Sequence, residues 1–219
     1  MVVEDNRRPI SQRERGWAKA MTRALAKSAI TPNQISASSM VFAALGGACF
    51  AASGLATNAI DRVLLLLGAA LFCQLRLLAN MLDGMVAVEA GKGGPDGPVW
   101  NELPDRFADI FIIVGAGYGV AALGLADASL GWAAAAAAVM TAYVREVARG
   151  AGAPADFSGP MAKPHRMFVL TMAALISSIE PLWNWRGETL HAALWIVAIG
   201  ATLTALNRAR RALAHLRKR

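Results

Sequence analysis

The chain has 219 residues, of which 56% are hydrophobic, and its mean hydropathy is +0.41. Soluble domains are about 45–50% apolar, so this composition is typical of a membrane protein. The formal net charge of +7 excludes an acidic protein, and the basic residues concentrate at the two ends of the chain. This placement favours anionic lipid headgroups and phosphate ligands over nucleic acid as the partners.

The N-terminal segment is polar and charged over its first 29 residues, which does not fit a secretory signal peptide. Within residues 11–29, basic side chains recur every four residues, at Arg15, Lys19, Arg23 and Lys27. Apolar side chains recur on the nearly opposite face, at Trp17, Met21 and Leu25. This pattern predicts an amphipathic helix in the membrane interface, with packing on a soluble partner as the alternative. Pro32 and Asn33 end this helix.

Six apolar segments follow, each near the ~20 residues that a membrane-spanning helix needs. They cover residues 34–54, 61–90, 105–126, 128–151, 166–184 and 188–208. The sequence therefore predicts an all-α integral membrane protein with a six-helix transmembrane bundle at 34–208. We expect a single membrane domain over 1–219, ending in a basic cytoplasmic tail at 209–219.

The orientation follows from the positive-inside bias. An even number of spans places both termini on one side of the membrane, and most of the lysines and arginines outside the spans lie there. We expect that side, with the active site, to be cytoplasmic. Cys49 and Cys73 fall inside spans without metal-ligand spacing, which favours buried thiols over a disulfide.

Polar residues inside the second span are unusual because an ionisable group in lipid is costly. Arg76, Asn80, Asp83 and Ala87 share one helical face at spacings of four, three and four. Gly84 beside Asp83 leaves room for close approach of a backbone or ligand.

A second acidic group opens the third span, where Glu102, Asp105 and Asp109 share a face. We expect Asn101 to cap this helix and Pro104 to lie in its first turn. The two groups lie near the cytoplasmic ends of consecutive spans, so their carboxylates should converge. Converging carboxylates repel unless a cation lies between them, and such oxygen-rich sites suit Mg²⁺, Mn²⁺ or Ca²⁺. The structural alternative is that Asp83 pairs with Arg76 and Asp105 caps its own helix.

These residues resemble the signature of the CDP-alcohol phosphotransferases, D-x-x-D-G-x-x-A-R followed by G-x-x-x-D-x-x-x-D. The chain reads N80-M-L-D83-G84-M-V-A87-V88 and then N101-E-L-P-D105-R-F-A-D109. T-P-N at 31–33, A-Y-V-R-E-V-A at 142–148 and G-P-M-A-K-P-H-R-M at 159–167 also resemble family segments. The departures are Asn80 for the first aspartate, Val88 for the arginine, Asn101 for the second glycine, and a longer segment between the two halves.

The resemblance implies transfer of a substituted phosphate from a CDP-alcohol, most simply CDP-diacylglycerol, to an acceptor alcohol with release of CMP. It implies that Asp83, Asp105, Asp109 and Asn80 hold Mg²⁺ or Mn²⁺, expected as two ions, and that Asp109 is the general base. We hypothesise that Glu102 supplies the carboxylate that Asn80 lacks.

The resemblance also suggests where the substrates bind. Gly84 and Ala87 leave space for the cytidine end of the donor, and Arg145, Lys163 and Arg166 are candidates for binding substrate phosphate. For Arg145, a pair with Glu146 is the competing interpretation. The sequence does not identify the acceptor alcohol.

Three other functions are compatible with these residues. The alternatives are a non-catalytic relative, a structural partner in a lipid-synthesis complex and, more distantly, an intramembrane prenyltransferase.

Small residues in two spans predict close helix packing. Gly115 and Gly119 form a small-residue packing face. The alanine run at 133–138 could pack within the bundle or across a homodimer.

Overall fold

The computed structural model describes residues 15–89, 91 and 96–218, with backbone alone at positions 89, 98 and 101. In this part of the chain the regular secondary structure consists of helices, without strands. The helices are α1 Gly16–Ala26, α2 Pro32–Leu55, α3 Ala59–Glu89, α4 Gly97–Ala122, α5 Ser129–Gly150, α6 Lys163–Ser177 and α7 Glu188–Leu216, with a 3₁₀ turn at Glu180–Trp183.

The N-terminal helix α1 forms where the amphipathic period predicts it, although positions 11–14 of the predicted segment lie outside the described residues. Ala18 and Thr22 form its buried face, and Thr22 contacts the sulfur of Met85 on α3. Trp17 and Met21 of the apolar stripe stay largely exposed. The helix therefore packs on the bundle through its small residues and leaves its larger apolar side chains outward.

Helix α2 begins with a complete capping box. The Thr31 hydroxyl accepts from the Gln34 amide, the Gln34 side chain accepts from the Thr31 amide, and Pro32 occupies the first turn. These contacts satisfy backbone donors that the first turn leaves unpaired. The T-P-N segment thus fixes where α2 starts.

Several predicted bounds are wrong. Helix α4 begins at Gly97, eight residues before the expected start, because Pro98 suits a first turn. Asn101 consequently lies inside the helix and does not cap it, and Pro104 lies beyond the first turn. Helix α6 ends at Ser177, since the chain turns into the 3₁₀ segment before the expected end.

Helix α7 continues to Leu216, so most of the predicted basic tail at 209–219 belongs to this helix. Arg208 is buried, and its guanidinium donates to the carbonyl oxygens of Thr141 at 2.7 Å and Ser158 at 2.9 Å. Those bonds hold the C-terminal half of α7 against α5 and the loop that follows it.

Helix α2 is the centre of the packing, because α3 and α4 both lie against it and touch each other only sparsely. Glycines allow this close approach: a Cβ added at Gly115 would lie 2.2 Å from the Gly47 carbonyl oxygen, and one at Gly119 would lie 2.3 Å from that of Phe50. The predicted small-residue face of α4 is confirmed. Ala134, Ala135 and Ala138 of the alanine run are fully buried within the chain.

Three described helices are long and apolar enough to cross a membrane: Pro32–Leu55, Ala59–Val88 and Glu188–Leu216. Large apolar side chains are exposed along the bundle, including Leu64, Phe168 and Ile199. Such a surface suits lipid rather than water. The protein is an all-helical integral membrane protein.

We expect Gly115→Ala to destabilise the fold by about 1–3 kcal/mol, because the added methyl group overpacks the contact with Gly47. Thermal unfolding of the detergent-solubilised protein measures this effect. Gly150→Ala is the matched control, since a Cβ there meets nothing within 4 Å. Equal melting temperatures for the two variants would contradict the close packing of α2 and α4.

Candidate active site

The polar face predicted in the second span lies on α3, close to its C-terminal end. Asp83 is 4% exposed, and its carboxylate accepts from the Ser36 hydroxyl at 2.6 Å and from the Gly84 amide at 2.5 Å. Ser36 belongs to the first turns of α2, so the capping of that helix also positions a partner of Asp83. Both described contacts of this carboxylate are with neutral donors.

The aspartates of α4 meet the same region from the other side of α2. Asp109 is fully buried and Asp105 nearly so. The Arg76 guanidinium of α3 donates to Asp109 Oδ1 at 3.1 Å and to Asp105 Oδ1 at 3.4 Å. The structural alternative is therefore wrong in both parts: Arg76 pairs with the α4 aspartates rather than with Asp83, and Asp105 lies well inside its helix.

Helix α6 brings two further cations into the group from its first turn. The Lys163 ammonium contacts both Asn80 Oδ1 and Asp105 Oδ2. The Arg166 guanidinium donates to Asp109 Oδ2 at 2.5 Å and is 1% exposed. Both oxygens of Asp109 are thus bound by guanidinium groups.

Glu102 has different partners from those we expected. Its Oε2 lies 2.5 Å from Arg145 Nη2 and 3.3 Å from Arg106 Nη2. Arg145 also binds Glu146 at 2.8 Å, and its guanidinium lies 4.9 Å from the centre of the Phe157 ring. The role of Glu102 as a replacement metal ligand stays a prediction, and its described contacts are with arginines.

The acidic side chains of this buried group are closely paired with basic ones. Three carboxylates, Asp83, Asp105 and Asp109, are accompanied by four cations, Arg76, Arg106, Lys163 and Arg166. In a low-dielectric interior, removing one partner of such a pair leaves an uncompensated charge, which is strongly destabilising. The group is therefore a coupled unit, and its members cannot be altered independently.

The donor set can be compared with the metal that the resemblance implies. Asn80 and Asp105 already share one cation, the Lys163 ammonium, so the residues present do fit a cation at this position. The described residues contain no group of three acidic, histidine or cysteine side chains arranged as a ready metal site. Asp83 is the aspartate whose described hydrogen-bond donors are neutral, whereas both oxygens of Asp105 and of Asp109 contact cations.

Other candidate residues lie around this group. Gly84 and Ala87 are half-buried, on the same stretch of α3 as Asp83. A cavity of about 370 Å³ lies between the end of α5, the loop after it and α7; its lining includes Arg145, Asp156, Arg208 and Arg211. A larger cavity of about 560 Å³ lies between α2 and α3, among Cys49, Leu55 and Asp61, away from the predicted site residues.

The sequence reasoning missed three contributors to the site. Ser36 binds Asp83, Thr141 lies 3.3 Å from Arg166 Nη1, and Arg208 crosses from α7 to the Thr141 carbonyl oxygen. Ser36 lies three residues after the T-P-N segment at 31–33, so a polar residue one turn into α2 was an available signal. The contacts of Arg208 depend on tertiary packing and had no such signal.

The geometry of this end of the bundle suits phosphate chemistry. Buried carboxylates can hold a cation or accept a proton, and the neighbouring arginines present planar donors that match phosphate oxygens. The lipid-facing bundle surface beside them would let an acyl chain remain in the membrane while its polar head reaches the site.

Known proteins resemble this chain in sequence and in fold. No protein-family model matches the sequence. The phosphatidylinositol phosphate synthase of Mycolicibacterium smegmatis is 33% identical over 137 residues, which span 60% of this chain and 59% of that enzyme. The match therefore covers about three fifths of the relative's length.

Two crystal structures of the Mycobacterium tuberculosis phosphatidylinositol phosphate synthase (PgsA1) are similar to the whole bundle. The complex with manganese and citrate has a TM-score of 0.73 at 21% identity, covering 89% of this chain and 88% of that one. The structure with CDP-DAG bound has a TM-score of 0.71 at 21% identity, covering 88% and 92%. This chain thus has the fold of those synthases and is similar in sequence to another, which confirms its resemblance to the CDP-alcohol phosphotransferases.

Proposed function

We propose that the protein transfers a phosphatidyl group from CDP-diacylglycerol to a phosphorylated polyol, with inositol phosphate as the first candidate, and releases CMP. The observation that carries this proposal is the buried group of Asp83, Asp105 and Asp109 at one end of a bundle that shares its fold with a CDP-DAG-binding synthase. The sequence relative is a phosphatidylinositol phosphate synthase, which supports inositol phosphate as the acceptor.

The membrane arrangement is part of the proposal. Helices α2 to α7 form one membrane domain of six spans, and α1 lies in the interface. The exposed Trp17 and Met21 support a contact of α1 with acyl chains, while Lys19 and Arg23 face the headgroups. Both termini and the carboxylate group then lie on the cytoplasmic side, as the distribution of basic residues favours.

The donor diphosphate would bind beside the α3 and α4 carboxylates. Asp83 and Asp105, with the amide oxygen of Asn80, are the residues that would hold Mg²⁺ or Mn²⁺. When bound, such an ion neutralises the diphosphate and stabilises the charge that develops on the leaving CMP. The Lys163 ammonium contacts Asn80 and Asp105, so it can bind a diphosphate oxygen from the same side. Gly84 and Ala87 would leave room for the cytidine.

We assign proton removal from the acceptor hydroxyl to Asp109. The acceptor oxygen then attacks the β-phosphorus of the donor, and the bond between that phosphorus and the CMP oxygen breaks. Arg76 and Arg166 hold the two oxygens of Asp109 and fix its orientation, so proton transfer requires that one of them moves to a substrate phosphate. Binding of the acceptor phosphate to that arginine would therefore free an oxygen of Asp109 to accept the proton.

The acceptor phosphate would lie toward α5 and α7. Arg145 and Arg166 are the candidate ligands on this side, and Arg208 lies next to them through its contact with Thr141. The 370 Å³ cavity that Arg145 and Arg208 line provides space on this side of the bundle. Arginine matches a phosphate through paired hydrogen bonds, which suits recognition of a phosphorylated rather than a neutral polyol.

The direct test is to incubate the purified protein with CDP-diacylglycerol, Mn²⁺ or Mg²⁺, and inositol phosphate, glycerol phosphate or serine, and to measure CMP. We expect CMP release with inositol phosphate and little with serine, because serine lacks the phosphate that the arginines would bind. Correctly folded protein that releases no CMP with any acceptor would favour a non-catalytic relative, which the Asn80 substitution also suggests.

We expect Asp109→Asn to lower the rate of CMP release by about 10²–10⁴-fold, the usual loss when a general base is removed. Asp127→Asn is the matched control, because Asp127 lies in the loop before α5 and its described partner is the Ser129 amide. The same CMP measurement checks both variants. Retained activity in Asp109→Asn would remove Asp109 from the role of base.

Glu102→Gln separates the two roles open to that residue. From its contact with Arg145, we expect an acceptor KM about tenfold higher, because a charge-assisted bond that orients Arg145 is lost. Binding of Mn²⁺ should stay unchanged, as it should in the control Glu188→Gln at the opposite end of the bundle. Loss of Mn²⁺ binding in Glu102→Gln would instead establish Glu102 as the replacement metal ligand.

A further inference from the structure

We infer that Phe157 is a positioning residue for Arg145, whose guanidinium it holds at the cavity where the acceptor phosphate is proposed to bind. The inference rests on the proposed function, which it deepens. It depends on the contact between the Arg145 guanidinium carbon and the Phe157 ring, whose centre is 4.9 Å away. Phe157 lies in the loop between α5 and α6, two residues before the G-P-M-A-K-P-H-R-M segment at 159–167.

The guanidinium of Arg145 is held from three directions. Its Nε donates to Glu146 Oε1 at 2.8 Å, and its Nη2 donates to Glu102 Oε2 at 2.5 Å. The hydrogen bonds of a guanidinium lie near its plane, so its face remains available to an aromatic ring. The described contacts use Nε, Nη2 and the face, which leaves Nη1 as the nitrogen for a phosphate oxygen.

The loop that carries the ring is itself tied to α7 on both sides of Phe157. Asp156 Oδ2 lies 3.2 Å from Arg211 Nε, and the carbonyl oxygen of Ser158 accepts from Arg208 Nε at 2.9 Å. Asp156 Oδ1 also accepts from the Ser158 amide at 2.8 Å, which closes a tight turn around Phe157. These bonds fix the loop and keep the ring against Arg145.

The next residues of the loop pack directly on α7. Gly159 has a φ of +132°, and a Cβ added there would lie 2.4 Å from Thr204 Cγ2. The Thr204 hydroxyl accepts from the Met161 amide at 2.9 Å. The position of the Phe157 ring is therefore set by the surface of α7 and not by local sequence alone.

The charge of the cavity explains why a neutral ring suits this task. Among the described residues that line the 370 Å³ cavity, three are arginines and one is an aspartate: Arg145, Arg208, Arg211 and Asp156. Such a lining complements an anion of the phosphate class. Glu102 and Glu146 already offset part of the charge of Arg145, and a third carboxylate would offset more of it. The ring restrains the guanidinium without adding negative charge.

The test compares Phe157→Leu and Phe157→Tyr with the natural full-length protein in the CMP assay. We expect Phe157→Leu to raise the KM for inositol phosphate about fivefold, because the hold on Arg145 is lost. The kcat and the KM for CDP-diacylglycerol should stay unchanged, and Phe157→Tyr, which keeps a ring, should keep the natural KM. Phe168→Leu is the matched control, since that ring is 64% exposed on α6 and its loss should change no constant.

Pentafluorophenylalanine at position 157 separates the charge distribution of the ring from its shape, and it also serves if Phe157→Leu does not fold. It nearly keeps the size of the ring but removes the negative potential of the face that attracts the cation. We expect an acceptor KM as high as that of Phe157→Leu. In an Arg145→Gln background, Phe157→Leu should raise the acceptor KM no further, because the group that the ring positions is absent.

An unchanged acceptor KM in Phe157→Leu and in the fluorinated protein would refute the inference, as would a full further rise in the Arg145→Gln background. The proposed function is tested separately, because natural protein that releases no CMP with any acceptor would refute that function. The rate at which phenylglyoxal modifies Arg145, relative to the exposed Arg210, then tests the contact without turnover. We expect a faster relative rate in Phe157→Leu, and equal rates would refute the hold of the ring on Arg145.

Discussion

The buried guanidinium of Arg76 is the contact on which the arrangement of the site depends. It extends from α3 to Asp105 and Asp109 on α4, although those two helices pack mainly against α2. In the interior of a membrane protein, neither the guanidinium nor the carboxylates could remain charged and unpaired without a large cost. Their pairing therefore holds α3 and α4 in register at the end of the bundle where the chemistry is proposed. Nε and Nη1 of Arg76 have no described partner, so donors remain there for a further group.

Helix packing and site chemistry are linked through α2. Its glycines admit the backbone of α4, which brings Asp105 and Asp109 near the α3 face. Its first turn, fixed by Thr31 and Gln34, places Ser36 against Asp83. A change in the glycine contact would consequently shift the carboxylates as well as loosen the bundle. The same logic applies to α6, whose N-terminal turn carries both Lys163 and Arg166 into the acidic group.

The departures from the family signature are best understood together. Asn80 viewed alone suggests a weakened metal site, and Lys163 viewed alone suggests a phosphate ligand. The two residues are in direct contact, so a change in one alters the surroundings of the other. Glu102 would have been a simple compensation for Asn80, yet its carboxylate faces Arg145 and Arg106.

The sequence by itself determined the helical membrane class and the faces on which the polar residues lie. Both follow from local rules: apolar length sets a span, and spacings of three and four residues place Arg76, Asn80 and Asp83 together on α3. Helix bounds were less predictable, as the early start of α4 and the extension of α7 show, because caps and buried contacts such as those of Arg208 shift them. Only the tertiary structure decided which charges meet between helices, since the partners of Arg76 and Lys163, and the Arg145 partner of Glu102, lie 29 to 83 positions away. Spacing along one helix carries no information about such distant pairs, and the distribution of cations among the carboxylates is what distinguishes this site.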